Sequence, residues 1–429
     1  MSCYETMFDA LCSSSEGGDI SPKIVASTAT ISQAALQCHC LFGVSEDEVR
    51  IFPSPCLDAN ATYFSDVDES KPGRKYVGVY SPASSSSSTS AIHFLASTLA
   101  SKKTIDWEGN EAAKDAYWTN VCYFNAIREL AQATTWQNAD VAEQEARIAK
   151  RKDPKTYKLP NYLAMEMNSR NGDEDVSTYL TGLNTPYTEK NNKALDLVYT
   201  TNMFSVGVDI DRLGLMTVFG QPKTASEYIQ ATSRVGRQTD TRPGIVFTLY
   251  NPCRPRDKSI FESFESFHSK LYASVEPMSV TPFSPHMRRK AVAALLVGIA
   301  NGLCTDLDAV DNPSKLNESG WLEKAKEIIL ARVHEIDPDE EENTRKQIDK
   351  ILKIWIHDEA LTNVCYSLGK TDDFAAMGGD PAPAIVPDGA MANLPTAWQG
   401  VSVGVPTSMR SVDQTCLLTM FNNYGGDEE

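Results

Sequence analysis

Short apolar runs alternate with helix-period patterns through the first 250 residues of the chain. The runs that predict strands are Lys23–Ala26, Tyr76–Tyr80, Val121–Phe124, Asn161–Glu166, Leu195–Thr200, Leu215–Phe219 and Ile245–Tyr250. The patterns that predict helices between them are Ala91–Ala100, Asn125–Ala133, Asp175–Leu183 and Ser226–Ser233. Because strands that alternate with helices form βαβ units, this order predicts an α/β fold built on a mostly parallel sheet flanked by helices.

After about residue 276 the pattern becomes mainly helical. The predicted helices are Arg288–Gly302, Trp321–His334 and Glu342–His357. Their tryptophans, Trp321 and Trp355, are predicted to anchor a core rather than to stack on bases. The rest is rich in Pro and Gly over residues 378–395 and ends in an acidic tail, residues 425–429. This extension is therefore predicted to be a separate, mainly helical region.

The formal net charge of −17 over 429 residues conceals an uneven distribution. Residues 212–290 carry twelve basic and six acidic side chains, a local excess of +6, whereas residues 306–345 carry a local excess of −7. A protein that binds nucleic acid needs a basic surface only where the phosphates lie. The acidic total therefore does not exclude a nucleic-acid-binding protein.

Membrane and secreted proteins are excluded by the distribution of apolar and basic residues. The longest apolar stretch, Ala291–Ala300, is about half of the roughly 20 residues that cross a bilayer. The first ten residues carry Glu5 and Asp9 and no basic segment of the kind that opens a secretory signal. We therefore expect a cytoplasmic protein without a membrane partner.

The ten cysteines are too dilute for a disulfide framework and are expected to be reduced thiols. Cys38-His39-Cys40, with Cys56 further on, is the spacing closest to a zinc site, but a second close pair of ligands is absent. The apolar positions of residues 34–42 also recur at helical period, which favours structural cysteines. No zinc is expected.

The segment with the strongest chemical signal runs from Val198 to Arg237. A predicted strand leads into Gly207-Val208-Asp209, a second strand follows, and a predicted helix then carries Gln230, Arg234 and Arg237. The two arginines, three residues apart, are predicted to share one face of that helix. Guanidinium groups placed in this way suit the γ-phosphate of a nucleotide, where they offset charge that develops during phosphoryl transfer.

These segments, in this order, resemble the motifs of superfamily 2 helicases over about residues 20–275. Thr201–Asp209 resembles motif V, and Gln230–Arg237 resembles motif VI, with Ser233 in place of its first glycine. Ser27-Thr28-Ala29-Thr30 resembles motif III, which couples nucleotide state to grip on nucleic acid. Tyr123-Phe124-Asn125 resembles motif IV, and Asn168-Ser169-Arg170 resembles the backbone-binding segment after it.

The resemblance implies the second RecA-like lobe of an ATP-dependent helicase over residues 71–275. It implies that Arg234 and Arg237 act as arginine fingers and that Gln230, Gly207 and Asp209 face the nucleotide. The residues implied to bind the nucleic-acid backbone are Thr201, Asn168, Ser169, Arg170 and Asn125, and those implied in coupling are Ser27, Thr28, Ala29 and Thr30. Residues 1–57 would be a remnant of the first lobe, residues 58–73 a linker, and residues 276–429 an accessory extension with a disordered acidic tail.

Two further segments narrow the resemblance. Arg254-Pro-Arg-Asp257 and Ser279–Pro285 look most like the helicase of bacterial DISARM antiphage systems. This likeness implies a role in antiphage defence, with DNA as the favoured nucleic acid.

The sequence departs from the family where a P-loop and an Asp-Glu box should precede motif III. The 26 residues before Ser27 contain neither motif. Gly369-Lys370-Thr371 ends like a P-loop, but Val364 stands where its first glycine should be, and Asp358-Glu359 follows a helix-period pattern.

The resemblance therefore implies that ATP and Mg²⁺ are held mainly by a first lobe on a separate chain, and that this chain alone does not hydrolyse ATP. The alternatives are a non-catalytic nucleic-acid-binding or scaffold subunit, and an inactive truncated helicase.

Overall fold

The protein is described by a computed structural model in which the chain divides into two units. The sheet unit comprises Ser27–Ser32 and Ile51–Pro277, and the helical unit comprises Met1–Ala26, Gln33–Arg50 and Met278–Glu429. The structure describes residues 2–14, 22–54, 63, 64, 68, 70, 71, 73–83, 86–152, 159–167, 174–189, 192–202, 209–237, 243–306, 309, 312–357, 363–366, 383–387 and 402–405.

The secondary structure of the described residues consists of nine strands and fourteen α-helices. The strands are β1 (Lys75–Tyr80), β2 (Asn120–Phe124), β3 (Ala164–Met167), β4 (Leu197–Thr200), β5 (Leu215–Phe219), β6 (Ile245–Tyr250), β7 (Asn363–Tyr366), β8 (Pro383–Pro387) and β9 (Val403–Val405). The helices are α1 (Ser2–Ser14), α2 (Ala34–Phe42), α3 (Ser87–Thr104), α4 (Glu111–Trp118), α5 (Ile127–Trp136), α6 (Ala142–Lys152), α7 (Glu174–Asn184), α8 (Ala225–Thr232), α9 (Pro255–Glu262), α10 (Phe264–Ser269), α11 (Pro285–Leu303), α12 (Pro313–Glu318), α13 (Trp321–Ile336) and α14 (Glu341–His357).

Six strands of the sheet unit form one sheet in the order β1-β6-β5-β2-β4-β3. Every neighbouring pair is parallel; the register places Asn120 of β2 beside Leu215 of β5 and Leu197 of β4. Parallel strands end at the same edge of a sheet, so the sheet has a distinct amino edge and carboxyl edge. The predicted parallel α/β fold is confirmed.

Successive side chains of each strand point to opposite faces of the sheet, and helices cover both faces because both are apolar. On one face, Cys122 and Phe124 of β2 pack in a core with residues of α3, α5 and α6. On the other face, Val121 and Tyr123 of the same strand pack in a core with residues of α7 and α8. All five residues of β2 are buried, as expected of a central strand in a two-sided sheet.

The helical unit is built around α11, which packs against α1 and α13. Gly298 and Gly302, four residues apart on α11, provide the room for α1. A Cβ atom added at Gly298 would lie 2.4 Å from the Met7 sulfur, and one added at Gly302 would lie 2.4 Å from Leu11 Cδ2. Trp355 of α14 is 1% exposed in this core and Trp321 packs against it, so both predicted core tryptophans are confirmed.

One predicted strand and several boundaries are wrong. Lys23–Ala26 is not a strand: it pairs with no described strand, and Val25 is 86% exposed. β-Branched residues favour strands only where a neighbouring strand and a packing surface exist. The strand predicted from Asn161 begins at Ala164 instead, since the Asp196 carboxylate accepts a hydrogen bond from Leu163 N at 3.0 Å where the ladder would continue.

Other predicted features are only partly described. Helix α3 begins four residues before the predicted Ala91, where Ser86 caps it by accepting a hydrogen bond from Thr89 N at 3.1 Å. Most of the predicted linker 58–73, the segment Gly369-Lys370-Thr371, Asp358-Glu359 and the acidic tail lie outside the described residues. Among the helices that the structure describes, none is both long and apolar enough to cross a bilayer.

Candidate nucleotide and nucleic-acid site

The predicted functional residues of the sheet unit lie at two opposite edges of the sheet. Asn125 directly follows β2 and Thr201 directly follows β4, so both stand at the carboxyl edge. Gly236 lies at the amino edge, because its N–H donates to the carbonyl of Leu213, just before β5, at 2.7 Å. Helix α8 runs between the two edges, and the structure therefore separates the predicted nucleic-acid residues from the predicted arginine fingers.

Helix α8 begins at the N-cap residue Thr224. Thr224 accepts a hydrogen bond from Glu227 N at 3.1 Å, and the carboxylate of Glu276 accepts two from Ala225 N at 2.9 and 3.0 Å. Glu227 in turn accepts from the Tyr123 hydroxyl at 2.8 Å, which ties the helix to β2. Burial, reinforced by the charge of Glu227, raises the pKa of Tyr123 above its usual range. These contacts fix the direction of α8.

Thr30, the last residue of the segment that resembles motif III, contacts α8. The Thr30 hydroxyl is 2.7 Å from the Ser226 hydroxyl and accepts a hydrogen bond from Gln230 Nε2 at 3.0 Å. Ser27, Thr28 and Ala29, by contrast, are exposed. The structure thus brings together Thr30 and Gln230, one predicted to couple the two ligands and one predicted to face the nucleotide.

The spacing predicted that Arg234 and Arg237 share one face of a helix, and this prediction is wrong. Helix α8 ends at Thr232, and Arg234 and Arg237 follow it in a turn. Gly236 takes a left-handed conformation with φ +68°, and a Cβ atom there would lie 2.3 Å from Gly244 Cα. The close approach of these two glycine backbones, together with the hydrogen bond from Gly236 N to the Leu213 carbonyl, holds the turn after α8 at the amino edge.

Arg237 forms an ion pair with Asp209, so two predicted nucleotide residues contact each other. The side chains of this pair are 33% and 63% exposed, respectively. Partial burial, and then the charge of Arg237, lower the pKa of Arg234. The pair of guanidinium groups is therefore close enough for mutual repulsion, which an anion between them would relieve.

Sequence reasoning missed the arginine that supports this turn. Arg74, just before β1, donates from Nε to the Val235 carbonyl at 3.0 Å and from Nη2 to the Ser233 carbonyl at 3.3 Å. The sequence around Arg74 matches no motif. Its contact with the turn after α8 forms only because the sheet places β1 beside β6. Arg74 joins the residues that position Arg234 and Arg237.

At the carboxyl edge, Asn125 links two strand ends. Its Nδ2 donates to the carbonyl oxygens of Phe219 at 3.1 Å, Gly220 at 3.1 Å and Gln221 at 3.4 Å. Among the described residues, its Oδ1 has no hydrogen-bond partner. The Nδ2 group of Asn125, which would donate to a phosphate, is thus already hydrogen-bonded to carbonyl oxygens. The contact of Asn125 with a phosphate stays a prediction.

A second link at this edge comes from the segment Arg254–Asp257. Asp257 is fully buried and accepts hydrogen bonds from Gln221 N at 3.2 Å and Asn251 N at 2.9 Å. Arg254 pairs with Glu129, and Arg256 donates to the Gln221 carbonyl at 2.9 Å. Burial raises the pKa of Asp257, although both backbone donors oppose that shift. The segment holds together the loops that follow β5 and β6.

The remaining predicted residues are less informative. Thr201 is 5% exposed, and its hydroxyl donates to Asn202 Oδ1 at 3.4 Å. Gly207, Asn168, Ser169 and Arg170 lie outside the described residues.

The positive charge of residues 212–290 is smaller at the surface than the sequence count suggests. Arg212 is 10% exposed and pairs with Asp115 at 2.8 Å. Arg254 and Arg237 pair with Glu129 and Asp209, and Lys258 pairs with Glu262. Ion pairs of this kind reduce the field available to attract phosphate.

The predicted helix over the Cys-His-Cys segment is confirmed as α2, where the cysteines are half-buried. His39 Nδ1 lies 3.0 Å from the Val44 carbonyl. Within the described ranges, no group of three or more His, Cys, Asp and Glu side chains could hold a metal ion.

Comparisons with known proteins agree with the motifs. Residues 184–239 match the family described as "Helicase conserved C-terminal domain". The chain is 32% identical over 442 residues to the "DISARM protein DrmA" of Bacillus paralicheniformis (strain ATCC 9945a / NCIMB 11709 / CD-2), across 99% of this chain. The chain spans only 37% of that relative's length.

Two solved structures resemble the chain more distantly. The DUF1998 helicase MrfA bound to DNA is 14% identical, with a TM-score of 0.45, over 70% of this chain and 34% of that one. Helicase Lhr of Mycobacterium smegmatis, bound to ssDNA and AMP-PNP, is 14% identical, with a TM-score of 0.38, over 64% of this chain and 29% of that one.

The family match confirms the resemblance to a superfamily 2 helicase C-terminal lobe. The 32% identity over 99% of this chain confirms the resemblance to a DISARM protein.

Proposed function

We propose that this chain, which carries a helicase C-terminal domain, supplies the second RecA-like lobe of an ATP-dependent DNA helicase or translocase. Arg234 and Arg237 would complete an ATP site whose P-loop and magnesium-binding carboxylates lie on a first lobe. The likeness to a DISARM protein supports a role in antiphage defence. In this proposal the nucleic acid is DNA and the compartment is the cytoplasm.

The observation that carries this proposal is the geometry of the turn after α8. Arg234 and Arg237 follow α8 in this turn, and three contacts hold the turn at the amino edge: Gly236 packs against Gly244, Gly236 N donates to the Leu213 carbonyl, and Arg74 donates to two carbonyls of the turn. Electrostatic stabilisation of phosphoryl transfer requires cations that are fixed before the reaction. A turn held in this way meets that requirement.

The nucleotide would contact a short strip of this unit. Gln230 would face the nucleotide or the lobe interface, Gly207 would allow close backbone approach, and Asp209 would support the ribose or the interface. In the structure Asp209 holds Arg237. We infer that this ion pair keeps the guanidinium extended until phosphate oxygens of ATP replace the carboxylate, since phosphate binds the same planar fork of donors.

The nucleic acid would lie along the carboxyl edge. Thr201, Asn125, Asn168, Ser169 and Arg170 would contact its phosphates without reading sequence, as backbone contacts do. The hydrogen bond from Gln230 to Thr30 would connect the nucleotide to the nucleic acid. A movement of Gln230 on ATP binding would then move the Ser27–Thr30 segment. Hinge closure on ATP and opening after hydrolysis would then drive movement.

The domain assignments belong to the same proposal. Residues 1–57 would represent the end of a first lobe, residues 71–275 the second lobe, and residues 276–429 an accessory region. The first lobe itself would be supplied from outside this chain, and the 37% coverage of the DISARM relative leaves length for it there.

The experiment is an ATPase assay with a first lobe that carries a P-loop and an Asp-Glu box, added in trans or fused ahead of the chain. We expect DNA-stimulated turnover only in the presence of both lobes. Because an arginine finger contributes about 10³-fold or more to kcat, Arg237→Ala and Arg234→Ala should each remove most of the turnover.

The matched control is Arg147→Ala, an exposed arginine of α6 that pairs with Glu143. This variant should keep full turnover. Turnover by the chain alone that depends on Arg237 would contradict the need for another lobe, and reconstituted turnover that ignores both arginines would favour the scaffold alternative.

A further inference from the structure

A crevice of about 200 Å³ opens at the carboxyl edge of the sheet unit, between the first turns of α3 and α5. The ends of β1, β6, β5 and β2 form its floor. In parallel sheets, ligands bind outside the carboxyl ends of strands, where neighbouring connections leave for opposite faces. The connection after β2 goes to α5 on one face and that after β5 goes to α8 on the other, so the crevice has this position.

The interior of the crevice is aromatic. Phe124 and Phe219, the last residues of β2 and β5, stack with ring centroids 4.4 Å apart and planes 7° from parallel. Trp136 of α5 is half-buried and completes the wall. The volume is below the about 300–1,000 Å³ of clefts that take drug-sized ligands, which indicates a flat ligand of one ring system.

The charged residues at the rim balance each other. Glu129 and Arg254 both line the crevice and form an ion pair. A carboxylate at this position repels phosphate, and it also neutralises the guanidinium that phosphate would need. The rim therefore offers hydrogen-bond donors and acceptors to a neutral ligand, together with the hydroxyl of Ser90 on α3.

The crevice adjoins the proposed path of the nucleic acid. Phe124, in the floor of the crevice, is followed directly by Asn125, which links the ends of β2 and β5. A strand bound along this edge by its phosphates would have its bases within reach of the opening. Aromatic side chains bind single-stranded bases by stacking, without regard to sequence.

We propose that this crevice binds one unstacked base of the single-stranded DNA that the lobe holds along its carboxyl edge. The inference rests on the proposed function, because it assigns a base contact to the same nucleic-acid surface. Each advance of the strand would then require the base to leave the crevice, which would give the lobe a step of one nucleotide.

The test compares two fluorescent oligonucleotides of about 15 units, one of thymidine and one of abasic residues with the same phosphates. Fluorescence anisotropy measures their affinity for the full chain. We expect the wild type to bind the thymidine oligonucleotide about 10-fold more tightly, since stacking of one base is worth about that factor.

Two variants locate the effect. Trp136→Ala removes an aromatic wall, and Ser90→Phe fills the crevice without removing a core contact; both should abolish the preference for thymidine while affinity for the abasic oligonucleotide stays unchanged. The matched control is Trp107→Ala, which removes a half-buried tryptophan stacked on Tyr117, outside the crevice. This control should keep the 10-fold preference.

Equal wild-type affinity for both oligonucleotides would overturn the base site and leave nucleic-acid binding intact. A preference that survives both variants would also overturn it. Tighter binding of the abasic oligonucleotide by Glu129→Gln would assign the crevice to phosphate instead. Failure of both oligonucleotides to bind would overturn the inference together with the nucleic-acid half of the proposed function.

Discussion

At the scale of single residues, the position of Arg234 and Arg237, the proposed arginine fingers, depends on Gly236. Its φ of +68° is unfavourable for other residues, and the Gly244 backbone leaves no room for a side chain. We expect Gly236→Ala to lower the free energy of unfolding by about 2–4 kcal/mol, from strain plus steric overlap. Urea unfolding measures this change.

A matched control for Gly236 is Gly109. It has a similar φ of +76°, but a Cβ atom there would meet nothing within 4 Å. Gly109→Ala should therefore show strain alone, about 1 kcal/mol. Equal losses for the two variants would mean that the contact with Gly244 does not constrain the turn.

Lys102 provides a test of pH dependence. It is 4% exposed and pairs with Asp196 at 2.6 Å, and burial lowers its pKa from 10.5 to about 8. Between these values the unfolded chain holds a proton that the folded chain has lost, so stability rises as pH increases from about 8 to 10.5. The rise should be at most about 3 kcal/mol.

Urea unfolding at pH 8 and pH 10 measures this rise for the wild type and for Lys102→Met, which keeps the length of the side chain without its charge. The variant should lack the part of the rise that comes from Lys102. The same increase in both proteins would contradict the lowered pKa.

Individual contacts divide into those that motifs could indicate and those that they could not. The resemblance implied a nucleotide-facing role for Gln230 and a coupling role for Thr30, and the structure joins the two residues by a hydrogen bond. Arg74 gave no comparable signal, and Asp257 belonged to a segment noted only for its likeness to a DISARM helicase. Their contacts with Val235 and Gln221 could not be predicted, because these partners are distant in sequence and close only in the fold. Such supporting residues become visible only when the strand order is known.

At the scale of elements, buried strands were the most predictable part of the fold. Leu215–Phe219 and Ile245–Tyr250 agree with β5 and β6 residue for residue, since a strand buried on both faces carries a nearly continuous apolar run. Helices such as Ala142–Lys152 were missed because most of their residues are charged or polar. The periodicity predicted the end of α8 to within one residue, at Ser233 against the observed Thr232, whereas the placement of Arg234 and Arg237 on this helix was wrong.

The link between β5 and β6 gives a prediction at this scale. Asp257 accepts backbone hydrogen bonds from the loops after both strands. Asp257→Ala leaves two N–H groups unpaired and should cost about 2–4 kcal/mol, whereas Asp257→Asn keeps one acceptor oxygen and should cost about half as much.

The measurement for Asp257 is urea unfolding, with hydrogen exchange at Gln221 and Asn251 as the local readout. In Asp257→Ala both amides should exchange faster. Wild-type exchange at these amides in the alanine variant would show that Asp257 does not hold the loops.

At the scale of the whole molecule, two features were not predictable from composition. Residues 2–14 pack in the helical unit with the C-terminal helices, because α11 has glycines where α1 approaches. The basic excess over residues 212–290 is partly consumed by internal ion pairs, which a count of charges along the sequence cannot reveal. The proposed phosphate contacts would therefore depend on particular side chains rather than on a general positive field.

We propose that Arg237 acts on the γ-phosphate of an ATP held by another lobe. The most direct test of this proposal is the affinity of the two-lobe protein for ADP with aluminium fluoride, which mimics the transferring phosphoryl group, compared with ADP alone. Because an arginine finger binds the transition state, Arg237→Ala should weaken binding of the mimic by about 100-fold or more while affinity for ADP changes little. Equal affinity of the wild type and Arg237→Ala for the mimic would contradict the account.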